Sequence, residues 1–337
     1  MQNPLSQWQP NPDIPLPMEL PTHLRLAVDA ALEGIPLGRL KDAADLLSRR
    51  YRAETRDGAL HLSSDLAARA YLATRLPATY AAVRASMTSA AELAPDFAPA
   101  SLLDVGAGPG TALWAASDCW PSLEKAVMLE ASPAIRAVGE ALSTHSRLGS
   151  IEWRAADVAK SLAEERQFDL VTLAYVLDEL SPEEGLKLTE KLWQATAGML
   201  VVVEPGTPAG WRRMMAVRHR LIEEGAHLVA PCAHVATCPL IAPDWCHFSR
   251  RVARSRLHRL AKGGEVPWED EKYIYLAATR FPATAANARV LAPPKASSGR
   301  IALKLCLPDG TVGERLFTKR DGEGYRRARR MDWGDVG

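Results

Sequence analysis

The spacing of apolar positions changes along the chain and divides it. Across residues 22–94 apolar side chains recur every three or four positions, as in Leu40, Ala43, Ala44 and Leu47, which predicts helices. Ser63-Ser64-Asp65 supplies a cap for a helix running through Ala73. Pro95 and Pro99 break that pattern. From 101 to 204 short apolar runs predict strands at 101–105, 125–129, 151–154, 168–175 and 199–203. Helical stretches at 111–117 and 134–143, and a helix start at Ser181-Pro182-Glu183-Glu184, fall between them. Such alternation predicts an α/β fold, a doubly wound parallel sheet with helices on both faces.

Beyond residue 210 the periodicity is weaker. Residues 211–225 form a basic helical stretch, 249–260 are arginine-rich, and 267–278 are acidic and aromatic. Residues 290–291 and 301–307 predict strands. In the second, Ile301, Leu303, Leu305 and Leu307 face one way and Ala302, Lys304 and Cys306 the other. Pro308-Asp309-Gly310 is a hairpin signal, with a return strand at 312–317 and a basic helix at 325–330. The expected organisation is an extended tail over 1–21, a helical domain over 22–98, an α/β domain over 99–210, and a basic C-terminal module with short strands over 211–337.

A length of 337 residues with 47% hydrophobic content suits two domains, or one large domain with an attachment. No apolar stretch approaches the length of a membrane span, so no membrane partner is expected. Met1 to Leu20 holds five prolines and no Lys or Arg, unlike a signal or transit peptide. With five cysteines in the whole chain and no secreted disulfide pattern, a cytoplasmic protein with reduced thiols is expected. The net charge of +1 is unevenly spread. Residues 101–204 hold 8 Lys/Arg against 16 Asp/Glu, residues 211–262 hold 10 against 3, and residues 286–337 hold 11 against 6. Two basic blocks in the cysteine-bearing part point to a nucleic-acid-facing surface, a solvated basic face being the plainer alternative.

Leu102-Leu103-Asp104-Val105-Gly106-Ala107-Gly108-Pro109-Gly110-Thr111 runs from a strand through glycines into a helix. Glycines admit close backbone approach by a ligand, and the helix N-terminus favours polar or anionic groups. The pattern is G-x-G-x-G; the dinucleotide fingerprint would need glycine at position 111. Asp104 closes the first strand. Glu130 ends the second, where a carboxylate takes ribose hydroxyls. Asp157 follows the third, placed to meet an adenine amino group. Together these residues resemble the class I S-adenosylmethionine-dependent methyltransferases over roughly 100–205. The resemblance implies S-adenosylmethionine held by Asp104, Gly106, Gly108, Gly110, Glu130 and Asp157. No catalytic residue stands out. The stretch 174–180 after the fourth strand has no Pro-Pro of the exocyclic-amine enzymes and no Pro-Cys nucleophile of the kind that attacks pyrimidine C6. Asp178 and Glu179 could touch substrate or simply begin a loop.

Cys232, Cys238 and Cys246 lie within fifteen residues, and fifty-nine residues separate Cys246 from Cys306. A thiol cluster in a cysteine-poor chain suggests a metal centre. Zinc knuckles of the C-x-x-C type are absent, and looser loops flanked by proline suit an iron–sulfur cubane. Spacing alone leaves zinc open, with His234 and His247 as rival ligands. Cys119 reads as an ordinary packed cysteine.

Pro231-Cys232-Ala233-His234 through Cys238-Pro239, Asp244-Trp245-Cys246-His247-Phe248, Arg254-Ser255-Arg256-Leu257-His258-Arg259, Glu269-Asp270-Glu271-Lys272-Tyr273, Pro293-Pro294-Lys295, Leu303-Lys304-Leu305-Cys306 and Lys319-Arg320-Asp321-Gly322 resemble the methyltransferase-like small-ribosomal-subunit assembly family over about 25–335. The resemblance implies a [4Fe–4S] cluster on Cys232, Cys238, Cys246 and Cys306, which would staple the C-terminal strands to the central segment. It also implies small-subunit rRNA as partner, with ribosomal proteins alongside, for a chain expected to be monomeric. Arg250, Arg251, Arg254, Arg256, Arg259 and Lys262 are the expected RNA contacts, with Trp245, His247 and Phe248 as stacking surfaces. Arg326, Arg327, Arg329 and Arg330 form a second basic patch. Two functions follow: a small-subunit assembly factor that methylates rRNA, or a non-catalytic RNA-binding assembly chaperone with a structural or redox-sensing cluster. A zinc-bearing methyltransferase acting on protein is a third.

Overall fold

A computed structural model of the chain describes residues 17–53, 61–156, 167–284 and 286–337. Four helices open it: α1 (Thr22–Leu32), α2 (Leu37–Arg52), α3 (Asp65–Thr74) and α4 (Leu76–Leu93). The three-four spacing reads out directly: Leu40, Ala44 and Leu47 on α2 are buried. Ser64 caps α3, its hydroxyl accepting from the Ala67 N–H at 3.2 Å.

The alternating segment folds as β1 (Ser101–Val105), α5 (Thr111–Cys119), β2 (Lys125–Leu129), α6 (Pro133–Ser143), β3 (Ser150–Arg154), β4 (Phe168–Ala174), α7 (Pro182–Gln194) and β5 (Thr196–Pro205). Strands β1–β5 are parallel, in the order β3-β2-β1-β4-β5. The order reverses at β1, so the ligand crevice lies at the C-terminal ends of β1 and β4. A complete capping box at Ser181 and Glu184 starts α7, where the Ser-Pro-Glu-Glu run places it.

The sheet does not end at residue 210. After α8 (Pro208–Glu223) come β6 (His227–Ala230), β7 (Phe248–Ala253), α9 (Arg256–Lys262) and β8 (Trp268–Thr279). The twelve-residue β8 pairs antiparallel with β5 along 273–279 and also takes β6 and β7, giving a mixed sheet of eight strands. The boundary expected at 210 is therefore corrected: 227–279 finishes the α/β sheet. The physical reason lies in β8, whose half Tyr273–Thr279 is buried throughout and needs neighbours on both faces. The tail also has a seat. Met18 bridges β7, donating to Arg251 O at 2.8 Å and accepting from Ala253 N at 3.0 Å. Residues 1–16 lie outside the described set.

A smaller antiparallel sheet follows, with β9 (Arg289–Val290), β10 (Lys295–Ser297), β11 (Arg300–Cys306) and β12 (Val312–Thr318), then α10 (Glu323–Ala328). The alternation in β11 has the expected consequence. Ile301, Leu303 and Leu305 join Val290 and Ala328 in a satellite core, whereas Cys306 belongs to the main core. Helices α1–α4 share that main core with the large sheet, through Leu72, Met87, Leu103, Val201 and Ile274. No described helix is long and apolar enough to cross a membrane.

Gly206 joins β5 to the turn before α8 directly under β8. Its N–H donates to Lys272 O at 2.9 Å, and a Cβ there would lie 2.7 Å from the Tyr273 backbone nitrogen. Gly206→Ala is expected to destabilise the fold by about 1–3 kcal/mol, read as a lower denaturant midpoint. An unchanged midpoint would show that the β5–β8 junction has room to yield.

Candidate functional site

The glycine loop caps β1 at the switch point. The three glycines differ in what they face. At Gly108 (φ +55) a Cβ would meet nothing within 4 Å, so its backbone borders open space. Gly110 is backed by the Trp153 ring at 3.4 Å, and Gly106 by Val176, which follows β4. Gly108 thus has open space beside its Cα and Val176 leaves no room for a Cβ at Gly106, while all three glycines hold a left-handed backbone (φ +68, +55 and +84). Glu130 spans the loop: its carboxylate accepts from Gly108 N at 2.8 Å and from Ser132 N at 2.7 Å. Burial raises its pKa, and those two amides oppose the rise. Beneath the loop Asp104 is 2% exposed. Its Oδ1 accepts from Thr172 Oγ1 at 2.6 Å, and its Oδ2 has no partner. Asp104, Gly108 and Glu130 thus offer an open backbone face, an orphaned buried acceptor and a part-exposed carboxylate, which fits a polar cofactor carrying hydroxyls and a cationic amine. Asp157 lies outside the described residues.

The crevice beyond this loop holds Asp178 and Glu179 and, beside them, Tyr175 and Arg75, which the sequence does not single out. Tyr175 holds a left-handed backbone (φ 59) at the end of β4, a conformation costly for a bulky residue. Its hydroxyl donates to Glu271 of β8 at 3.1 Å, and Arg75 from the α3–α4 junction pairs with the same carboxylate at 3.6 Å. Asp178 and Glu179 form a tight turn nearby. Glu179 is pushed up to about 7 by burial, then by Asp178 and Glu130. Glu204, fully buried at the end of β5, accepts from Leu177 N at 3.0 Å and pairs with Arg213 at 3.1 Å.

The four cysteines line one cavity of about 30 Å³. Cys232 follows β6, Cys238 sits in the next loop, Cys246 precedes β7, and Cys306 ends β11. Strands β6 and β7 pair with different stretches of β8, 277–279 and 268–273. The residues between those stretches, Ile274, Tyr275 and Leu276, border the cavity. All five cysteines of the chain are free thiols. Burial raises the pKa of Cys232 and Cys246 and pushes Cys306 up to about 11; the neighbouring thiols add to the rise. Among the described residues no three His, Cys, Asp or Glu groups converge to hold a single metal ion. The four thiols share the lining of this one cavity. Four free thiols around an apolar cavity fit the donor set of a sulfur-ligated centre. His234 lies at the same cavity, while His247 is stacked on Trp245 at 4.9 Å.

The first basic block meets a different fate from the one expected. Arg251 makes a two-pronged bond to Asp270 at 2.9 and 3.1 Å, and Arg254 and Lys262 converge on Glu269 at 2.8 and 3.3 Å. Cross-strand register sets the Arg250–Arg251 run of β7 opposite Asp270 and Glu271 of β8. Three of the six expected RNA contacts, Arg251, Arg254 and Lys262, are thus ion-paired within the fold. Arg256 is exposed, and Arg250 and Arg259 are partly so. Phe248, expected as a stacking surface, is 1% exposed and packs among Tyr273 and Tyr275. Arg326, Arg327, Arg329 and Arg330 are exposed around α10, as are Arg315 and Arg320 beside them.

The strand order, the glycine loop at its switch point and the acidic residue ending β2 define a Rossmann-like methyltransferase fold. Residues 65–336 match the family described as mitochondrial small ribosomal subunit Rsm22, and the chain belongs to that family. It is 28% identical to the human "Ribosome assembly protein METTL17, mitochondrial", over 79% of this chain and 61% of that protein. It is 22% identical to "Rsm22-cox11 tandem protein 2, mitochondrial" of Schizosaccharomyces pombe, over 95% of this chain and 50% of that protein. The chain thus spans between half and about three-fifths of these relatives. Similar solved structures include the magnesium protoporphyrin IX methyltransferase of Synechocystis with bound S-adenosylmethionine. It is 11% identical with a TM-score of 0.41, over 77% of this chain and 97% of that one. An O-methyltransferase family protein of Burkholderia thailandensis is 16% identical with a TM-score of 0.42, over 57% and 67%. The fold assignment itself rests on this chain's own strand order. The expected cytoplasmic location is corrected by these matches: the family description and the curated relatives are mitochondrial.

Burial of Asp104 raises its carboxyl to about 7, the Thr172 hydrogen bond opposing the rise and Glu130 adding to it. The folded state then keeps a proton that the unfolded chain releases near pH 4. Stability from this group is full below about pH 4 and is lost as pH rises toward 7. Asp104→Asn is expected to melt higher than the parent at pH 7.5 and to lose less on going from pH 4.5 to 7.5. Identical pH profiles would show that Asp104 is ionised in the fold.

Proposed function

We propose that this protein is a small-ribosomal-subunit assembly factor that binds rRNA, carries S-adenosylmethionine on its glycine loop and holds a [4Fe–4S] cluster on Cys232, Cys238, Cys246 and Cys306. The observation that carries the reading is one cavity lined by four thiols, three from the loop 232–246 and the fourth from the end of β11, inside the segment 65–336 matched by the family. Loose, proline-flanked cysteine spacing suits a cubane core better than the tight knuckles of zinc sites. In this reading Gly108 lets the cofactor approach the backbone, Glu130 accepts from its ribose hydroxyls, and Asp104 faces its ammonium group. Gly106, Gly110 and Asp157 complete the set. When bound, the cofactor supplies an electrophilic methyl group. Tyr175, Arg75 and Glu271 would border the acceptor and position it. The RNA-facing surface comprises Arg256, Arg259 and Arg250 with the exposed arginines of β12 and α10. The family description, which names the small ribosomal subunit, and the human relative's name, which prints ribosome assembly, support small-subunit assembly as the setting; we propose ribosomal proteins as further partners and a monomeric chain.

A second reading, assembly without methyl transfer, is favoured by two observations. The residues after β4 carry no motif for amine or pyrimidine methylation, and Val176 packs directly on Gly106. Methyl incorporation into isolated small subunits separates the two.

The full chain, purified anaerobically, is expected to bind S-adenosylmethionine in isothermal titration. It is also expected to bind small-subunit rRNA with an affinity that falls steeply with salt. Arg327→Glu and Arg330→Glu should each reduce the salt slope by about one. No heat of cofactor binding, or RNA binding indifferent to salt, would contradict the proposal.

A further inference from the structure

Two guanidinium groups are buried against the thiol cavity, and among the described residues no carboxylate pairs with either. Arg218 is 5% exposed and Arg289 is 1% exposed, and both line the cavity. Arg218, on α8, donates through Nη2 to the carbonyls of His234 at 2.9 Å and Ala236 at 2.7 Å, in the loop between Cys232 and Cys238. Arg289 stands opposite Cys306 in the β9–β11 register. It donates to Pro231 O at 2.9 Å, to Ser89 Oγ at 2.9 Å and to Gly334 O at 2.7 Å. Each guanidinium keeps one nitrogen without a partner, Nε of Arg218 and Nη2 of Arg289. Both act electrostatically on Cys232; Arg289 also acts on Cys246 and Arg218 on Cys306.

Carbonyl oxygens satisfy N–H groups but do not cancel charge. A buried cation with no anion costs several kcal/mol, so a stable fold brings one to it. Elsewhere here the rule is kept: Arg213 has Glu204, and Arg254 has Glu269. The other groups bordering the cavity are apolar side chains and thiols, such as Met214, Leu240, Ile274 and Leu291, with His234. Four thiolates on a core of charge about +2 leave a net charge of about −2, whether the core is a zinc ion or a cubane. Two arginines balance it.

We propose that Arg218 and Arg289 are the built-in counter-charge of a tetrathiolate metal centre in this cavity. The metal-free chain then carries two unbalanced buried cations, and the loaded chain carries none. The inference rests on the metal-centre reading above, but not on which metal fills the site. It makes loading a condition of stability beyond the metal–sulfur bonds themselves, because the arginines penalise the empty state.

The test compares Arg218→Gln with Arg218→Lys in the full chain purified anaerobically. Both replacements donate hydrogen bonds to the loop carbonyls; only lysine keeps the charge. Metal content of the parent reads the underlying assumption separately. If the parent holds no metal, the metal-centre reading and this inference fall together. With metal present, Arg218→Gln is expected to release it to a chelator about 10–100-fold faster than the parent, with Arg218→Lys close to the parent. After stripping, Arg218→Gln is expected to melt as high as the stripped parent or higher. The opposite result is equal release from the two variants, with Arg218→Gln lowering the melting of stripped and loaded protein alike. That result would make Arg218 a staple for the loop and overturn the counter-charge role. Arg289→Lys serves as the second arm: unchanged release despite lost bonds to Ser89 and Gly334 supports charge as the operative property, and release as fast as in Arg218→Gln contradicts it.

Discussion

The antiparallel pairing of β5 with β8 is the constraint on which the rest of the molecule depends. Seven consecutive residue pairs, from Met199–Thr279 to Pro205–Tyr273, join the last parallel strand to a strand that begins more than sixty positions later. Once β8 is fixed there, β6 and β7 are set on separate stretches of it, and the loop between them must span Ile274, Tyr275 and Leu276. That span brings Cys232, Cys238 and Cys246 together. The smaller sheet then delivers Cys306, because a two-sided strand turns its leucines to a satellite core and its last residue inward. A single β-ladder thereby connects the crevice at Gly108 to the thiol cavity, with Glu271 of β8 bonded to Tyr175 at one site and Tyr275 bordering the other.

Charge is handled in the same economical way. The acidic run Glu269-Asp270-Glu271 and the arginines of β7 are cross-strand neighbours, so two blocks that look like separate patches in the sequence neutralise each other in the fold. What remains unbalanced is informative. On the surface it is the arginine cluster around α10. In the interior, among the described residues, it is the pair Arg218 and Arg289, the proposed counter-charge of the thiol-lined centre.

Much of the α/β half was legible because its strands are short, apolar and bounded by glycine or proline, so period and punctuation agreed. The glycine loop and the acid after β2 were likewise visible as residue types at fixed offsets from predicted strands. The C-terminal half was harder for a physical reason. Strand β8 is charged over its rim half and apolar only from Tyr273 onward, so neither period holds along its length, although the run Tyr273-Ile274-Tyr275-Leu276 carried a buried-strand signal. The ion pairs of Arg251, Arg254 and Lys262 depend on register, which spacing within one segment does not encode. Arg218 gave no warning in a helix already rich in arginine, and Arg289 sits in a two-residue strand with no pattern of its own. The strict alternation across Ile301–Leu307 is the counter-example. It placed Cys306 on the opposite face from its leucines before any fold was known.

The central claim is that four thiols, gathered by β8 and β11, hold one inorganic core. Iron X-ray absorption of the full chain, purified anaerobically, addresses it most directly. Iron with an all-sulfur first shell and a second shell of neighbouring iron is expected, both lost together in Cys306→Ser. An iron-free protein, or a metal bound through nitrogen and oxygen and indifferent to Cys306, would contradict it.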